Sequence, residues 1–246
     1  MIDTASLQML RIGVHTSGLL ELARRRGLSV RDVDFGYAAH CLLGEVFGEL
    51  APRPFALSNT EGRVVSVLAY HRSSLAELID HARSFADPWV HGLVDWTNAA
   101  SKAMPTSYAG RRLGFEIRVC PVVRLGRGTS HGRPGAEVDV FLNACSKVDP
   151  SVSVSRESVY IDWLRARLDA HGTILEDAKL HSFHVAKSVR RSHESSRKSH
   201  VVERPDVRIR GHVRVVDERF CDLLTQGVGR HRAFGFGMLL LRAPET

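Results

Sequence analysis

Tyr37 and His40 are the pair in this chain whose types and spacing most directly suggest proton chemistry. Histidine titrates near neutrality, so it can take or give a proton at physiological pH. A tyrosine hydroxyl can hydrogen-bond to a reacting group or relay a proton to it. Three residues apart on a helix, two such side chains share one face. The stretch Asp34-Phe35-Gly36-Tyr37-Ala38-Ala39-His40-Cys41-Leu42-Leu43-Gly44-Glu45-Val46-Phe47 reads as that helix, with Asp34 as N-cap and Leu42, Leu43, Val46 and Phe47 as its apolar stripe. A histidine on a half-buried helix is also an ordinary packed side chain, so the pair alone does not define a site.

A second stretch lies near the C-terminus: Gly227-Val228-Gly229-Arg230-His231-Arg232-Ala233-Phe234-Gly235-Phe236-Gly237. Two Gly-x-Gly pairs flank an Arg-His-Arg segment. A helical pattern, Glu218 to Thr225, precedes it, and Met238 to Leu241 follows as a buried strand. A glycine-rich loop between helix and strand can turn amide N–H groups toward phosphates, and arginine adds bidentate donors. The order is the reverse of a nucleotide-binding loop, and no Gly-Lys-Ser/Thr is present, which argues against a P-loop. A tight exposed turn is the other reading. The two arginines beside His231 should depress its pKa by like-charge repulsion.

Composition narrows the partners. The chain of 246 residues is 43% hydrophobic and carries a formal net charge of +7. It is a folded globular protein of one large or two small domains, and its charge suits a polyanion such as nucleic acid. The four cysteines, at 41, 120, 145 and 221, form no Cys-x-x-Cys pair, which argues against a cysteine zinc site. His181-x-x-His184 in an expected strand points its members to opposite faces, which disfavours paired ligation. We expect no metal and no cofactor. The N-terminus lacks signal-peptide regions and no apolar run approaches ~18 residues, so a cytoplasmic protein with reduced thiols and no membrane partner is expected.

Stepping along the chain, Leu7 to Val14 reads as a strand and Leu19 to Leu28 as a short helix ending at Gly27, with Arg24, Arg25 and Arg26 in succession. The Tyr37–His40 helix follows. Phe55 to Leu57 and Arg63 to Tyr70 are strands around a turn, and Ser73 or Ser74 caps a helix to about Ala86. Trp89 to Met104 completes a first unit. Leu113 to Leu125 reads as one long strand, Asp139 to Ser146 as a helix or an extended turn, and Ser155 to Leu168 as a capped helix. Ala178 to Ser188 and Val207 to Val215 are strands. Between them, Arg190 to His200 has too few apolar residues to bury a core and should be mobile unless a ligand orders it. The order β-α-β-β-α-β, followed by something similar, predicts an α+β protein of two tandem ferredoxin-like domains, residues 1–104 and 105–246.

The Gly-apolar-Gly, five residues, Gly-apolar-Gly spacing before the last strand resembles the signature loop of the RAMP superfamily, the repeat-associated RNA-binding proteins of CRISPR systems. Together with Tyr37-x-x-His40 at the start of the first long helix, it resembles the CasE-like branch of the endoribonucleases that cut CRISPR precursor RNA. The resemblance implies tandem ferredoxin-like (RRM-like) domains. It also implies metal-independent cutting at the base of a CRISPR repeat RNA hairpin, and retention of the mature guide RNA in an effector complex of a type I-E or similar type IV system. In such a reaction a base removes the ribose 2′-OH proton, an acid protonates the leaving 5′-oxygen, and cations stabilise the pentacoordinate phosphate.

Carried over by resemblance, His40 is the general base or acid and Tyr37 assists. Some members place a lysine five residues after the histidine; this chain has Glu45. The cation must then come from elsewhere, among Arg24 to Arg26 or the glycine-loop arginines. RNA contacts are expected from Gly227, Gly229, Arg230, His231, Arg232, Gly235 and Gly237, from Arg24, Arg25 and Arg26, and from Arg242. A basic hairpin with Arg190, Arg191, Arg197 and Lys198 is expected to enter the groove of the repeat stem. A non-catalytic guide-RNA-binding RAMP subunit is the alternative that Glu45 keeps open.

Overall fold

In β1 (Gln8–His15), Leu10, Ile12 and Val14 alternate with more exposed neighbours and are buried, as one face of a half-covered strand requires. The computed structural model in which this is seen describes residues 6–28, 34–127, 133–191 and 199–244, and only the backbone at 187–191 and 199–202. α1 (Thr16–Arg25) follows directly and buries Leu19, Leu22 and Ala23. α2 (Phe35–Phe47) is capped by the Asp34 carboxylate, which accepts the Tyr37 N–H at 3.1 Å. β2 (Phe55–Ser58) and β3 (Val64–His71) are a hairpin. α3 (Leu75–Phe85) carries a capping box in which Ser74, not Ser73, is the cap and Glu77 reaches back to it. α4 (Pro88–His91) and β4 (Val94–Ala103) complete the first sheet, whose order is β2-β3-β1-β4 with every pair antiparallel.

The second unit repeats that topology. Its elements are β5 (Arg112–Val119), β6 (Val122–Arg124), β7 (Glu137–Asp139), α5 (Val140–Cys145), α6 (Arg156–Asp169), β8 (Thr173–Arg191), β9 (Ser199–Val215), α7 (Arg219–Gln226) and β10 (Leu239–Arg242). The sheet order β10-β5-β9-β8 matches the first when each unit is counted from its own first strand. In both, two hairpin-linked strands and two crossovers interleave, which is the ferredoxin-like arrangement. The predicted α+β architecture of two tandem ferredoxin-like units is the one observed.

Two local expectations are corrected and one open alternative is settled. Leu113 to Leu125 is not one strand. β5 stops at Val119, Pro121 offers no N–H to a ladder, and β6 pairs with β7 in a separate sheet. Asp139 to Ser146 resolves as a helix, with Asp139 accepting the Phe141 N–H at 2.8 Å. The ends of the Arg190 to His200 segment are strand, paired as Arg190↔His200 and Arg191↔Ser199. Residues 192–198 lie outside the described residues, Arg197 and Lys198 with them, and the side chains of Arg190 and Arg191 are likewise not described.

By their internal contacts, residues 1–108, 224–227 and 231–238 group as the first unit. Residues 109–223, 228–230 and 239–246 group as the second. The Phe234 end of the glycine loop thus belongs with the helix that carries Tyr37 and His40.

Candidate active site

Both chemical residues stand near the start of α2 and are half-buried, with ring centroids 6.1 Å apart. The short 3-10 turn Arg232–Phe234 lies against this helix. The approach is closest at Gly36, where an added Cβ would sit 2.1 Å from the Phe234 carbonyl oxygen. Only glycine admits that contact. It brings the Phe234 ring to Tyr37 (5.7 Å, stacked), to His40 (5.3 Å, edge-on) and to His231 (6.2 Å, stacked). One phenyl ring therefore gathers the proposed proton-transfer pair and the loop histidine.

The loop's own geometry explains its glycines. Gly227, Gly229, Gly235 and Gly237 have φ between +71° and +80°, a region that disfavours side chains, and His231 joins them at +61°. At Gly227 a Cβ would also meet Pro54 and the Gly237 carbonyl at 3.0 Å.

The His40 pKa is held below the ordinary histidine value, first by burial and then by the charge of Arg53. A neutral imidazole at pH 7 is the form that can accept a proton. On the other side of the pair, Tyr37 hydrogen-bonds to Cys41, whose thiol burial pushes up. One turn on, Glu45 accepts two N–H groups of Arg26, at 2.6 and 3.0 Å.

The remaining expected residues are accounted for individually. Arg24 and Arg25 both engage Glu21, at 2.8 and 3.1 Å, and hold its carboxyl down to about 2, Arg24 contributing first. Arg25 also lies 3.7 Å over Trp89. Arg232 donates to the Gln226 carbonyl. In the second unit, Arg230 pairs with Glu137 at 2.7 Å. Arg242 meets the buried Glu116 at 2.6 Å and shares it with Arg208 and Arg210. Arg242 also lines an open groove with Lys179, His181 and Arg210. Phe234, Gly36 and Arg53 were missed by sequence reasoning. A glycine in the first turn of an otherwise strong helix, and a phenylalanine between signature glycines, were the available signals. Among the described residues no cluster of three or more His, Cys, Asp or Glu could hold a metal, and no helix is long and apolar enough to cross a membrane.

Fold and site together define a tandem ferredoxin-like protein with a Tyr–His pair seated on a Gly-x-Gly…Gly-x-Gly loop. A family model described as CRISPR-associated protein matches residues 18–243, and the chain belongs to that family. No protein of curated function matches the sequence. Among solved structures, the CRISPR endoribonuclease Cse3 bound to a 19-nucleotide RNA is similar at 19% identity and a TM-score of 0.62, over 96% of this chain and 99% of that one. The Thermus thermophilus Cse3 bound to an RNA representing a pre-cleavage complex is similar at 18% identity and a TM-score of 0.59, over 96% and 99%. Cas6e from Escherichia coli K-12 is similar at 16% identity and 0.56, over 96% and 100%. At these identities the likeness is one of fold.

Two outcomes follow from the seating of the pair. Gly36→Ala should cost about 1–3 kcal/mol in urea denaturation, as overpacked sites do, and should speed amide exchange in residues 231–237. An NMR titration should place the His40 midpoint below the ordinary ~6.5. The unfolded chain then binds the proton more readily. His40's contribution to stability is therefore full above the unfolded pKa and is lost as pH falls through the folded one.

Proposed function

We propose that this protein is a metal-independent endoribonuclease that cuts CRISPR repeat RNA at the base of its hairpin, acting in the cytoplasm and keeping its product within an effector complex. The observation that carries the reading is the assembly of Tyr37, His40 and His231 around Phe234, with His40 held neutral. Family membership and the +7 charge support it, as does the likeness to structures named as RNA-bound endoribonucleases.

His40 takes the proton of the 2′-OH at the cut. The 2′-oxygen bonds to phosphorus as the bond to the 5′-oxygen breaks; the 5′-oxygen takes a proton from water, His40 returns its own to solvent, and the products are a 2′,3′-cyclic phosphate and a 5′-OH. Tyr37 assists by hydrogen bonding at the reacting group, and His231 contacts RNA. Backbone N–H groups at Gly227, Gly229, Gly235 and Gly237, with Arg230 and Arg232, face phosphates. Arg24, Arg25, Arg26 and Arg242 add further RNA contacts, and the β8–β9 hairpin with Arg190, Arg191, Arg197 and Lys198 holds the stem. The deep, narrow major groove of A-form RNA resists side-chain reading, so recognition there is of shape and phosphate. One feature favours a second reading, a non-catalytic guide-RNA subunit: Glu45 neutralises Arg26 where some relatives place a lysine.

Single-turnover cleavage in EDTA tests both. The parent should cut the adjacent repeat hairpin fully. His40→Ala should lose about 10²–10⁴-fold, as loss of a general acid–base does, and a single 2′-deoxy at the cut should abolish product. A strict need for a divalent ion would overturn the metal-free mechanism, and tight binding without cutting would select the subunit reading. Neutralising Arg190, Arg191, Arg197 and Lys198 together should weaken binding and flatten its dependence on salt concentration; unchanged slopes would remove the hairpin from the interface.

A further inference from the structure

We propose that Arg53 is the cation that holds the scissile phosphate in this site, an assignment that rests on the cleavage reaction proposed above. Attack by the 2′-oxygen loads negative charge on the nonbridging oxygens, and a water-excluding site needs a preorganised donor there. The arginines that the sequence nominated each have a partner within the fold. Arg24 and Arg25 are on Glu21, Arg26 on Glu45, Arg230 on Glu137, and Arg232 on the Gln226 carbonyl. Using any of these for phosphate means breaking an existing contact.

Arg53 differs. It is exposed, and among the described residues its guanidinium makes no ion pair or hydrogen bond. Its backbone is nonetheless fixed. It stands between Pro52 and Pro54, both buried, on the segment entering β2. Proline fixes its own φ and restricts the residue before it. Pro54 packs against Gly227 of the signature loop, and β2 packs against the turn that ends in Phe234. An anchored stem with a free planar fork is what bidentate phosphate binding requires.

Its charge also reaches the reacting pair, since burial and Arg53 together depress His40. The other charged or titratable groups on α2 and on elements packed against it are Asp34, Tyr37, Cys41 and Glu45 on the helix and its cap, Glu21, Arg24 and Arg25 of α1 with Arg26 at its end, Glu49 after the helix, Glu77, Asp80, His81 and Arg83 of α3, His91 of α4, and His231 and Arg232 of the loop. Arg53 transfers no atom. The 2′-OH proton goes to His40, the leaving 5′-oxygen takes a proton from water, and the guanidinium holds the two nonbridging oxygens throughout.

The test compares parent, Arg53→Gln and Arg53→Lys by single-turnover cleavage of the repeat hairpin in EDTA across pH. The His40 titration is followed by NMR in the RNA-free proteins, and binding is measured with a 2′-deoxy hairpin that cannot be cut. Arg53→Gln should lose roughly 10²–10³-fold in cleavage rate, the loss typical of one transition-state donor, while binding weakens far less. In the same variant the acid limb of the rate profile and the free-protein His40 midpoint should both move to higher pH. Arg53→Lys should keep both midpoints near the parent's and recover part of the rate. If the parent cuts and Arg53→Gln matches it, the assignment falls and the cleavage reading stands. An unmoved His40 midpoint in Arg53→Gln would also overturn it. A parent that does not cut removes the cleavage reading and this assignment with it.

Discussion

The carbonyl oxygen of Phe234 occupies the space where a side chain on Gly36 would stand, and the arrangement of the site depends on that contact. A glycine inside a helix costs about 1 kcal/mol relative to alanine. Here the cost is met at the first turn of α2, where the backbone amide ends carry partial positive charge suited to a carbonyl oxygen. With Phe234 seated, its ring has Tyr37 on one face and the edge of His40 within 5.3 Å. The loop itself is shaped by four positive-φ glycines and by Pro54 against Gly227, so the seat is set by backbone geometry from two sides. Packing against Phe234 thus limits the rotamers of Tyr37 and His40.

The distribution of charge follows a similar economy. Much of the basic excess is matched locally. Glu21 holds two arginines, Glu116 three, and Glu176 both Arg112 and Arg214. The exposed pairs on Glu21 add little stability, typically under 1 kcal/mol, so their main effect is to fix where the guanidinium groups lie. The Glu45–Arg26 pair fits that pattern. A lysine at this position on α2 would add a second positive charge to that of Arg26. A carboxylate that draws in Arg26 from α1 places a neutral pair there. The side of the site toward Arg53 keeps its charge.

Local features of the site were legible in the sequence, and its assembly was not. Asp34, the apolar stripe and the i, i+3 spacing of Tyr37 and His40 are local, and local capping and periodicity fix a helix. The positive φ of the signature glycines follows from residue type. The meeting of Phe234 with α2 joins distant parts of the chain, and only the closed fold brings it about. Arg53 escaped because it stands alone between prolines, outside any run of charge. The long β8–β9 ribbon escaped for another reason. Its register sets Asp177 opposite His212, which meet at 3.0 Å, so a polar cross-strand pair stands where apolar alternation fails. The break after Val119 was visible as Pro121, but the apolar residues on either side continued the strand pattern past it.

If RNA binds here as proposed, the two causes that depress His40 would behave differently. Burial would remain or deepen under a hairpin. The Arg53 contribution is a charge that a phosphate neutralises, so with Arg53 on the scissile phosphate that part of the depression is relieved. In the free protein the lowered pKa favours a neutral His40; in the proposed complex the same group would hold a proton more firmly. The change in basicity would then be coupled to placement of the phosphate on Arg53. An RNA bound out of register would meet the same imidazole with a lower affinity for the proton. Proton acceptance and phosphate positioning would in this way be selected by one contact, without a separate conformational step.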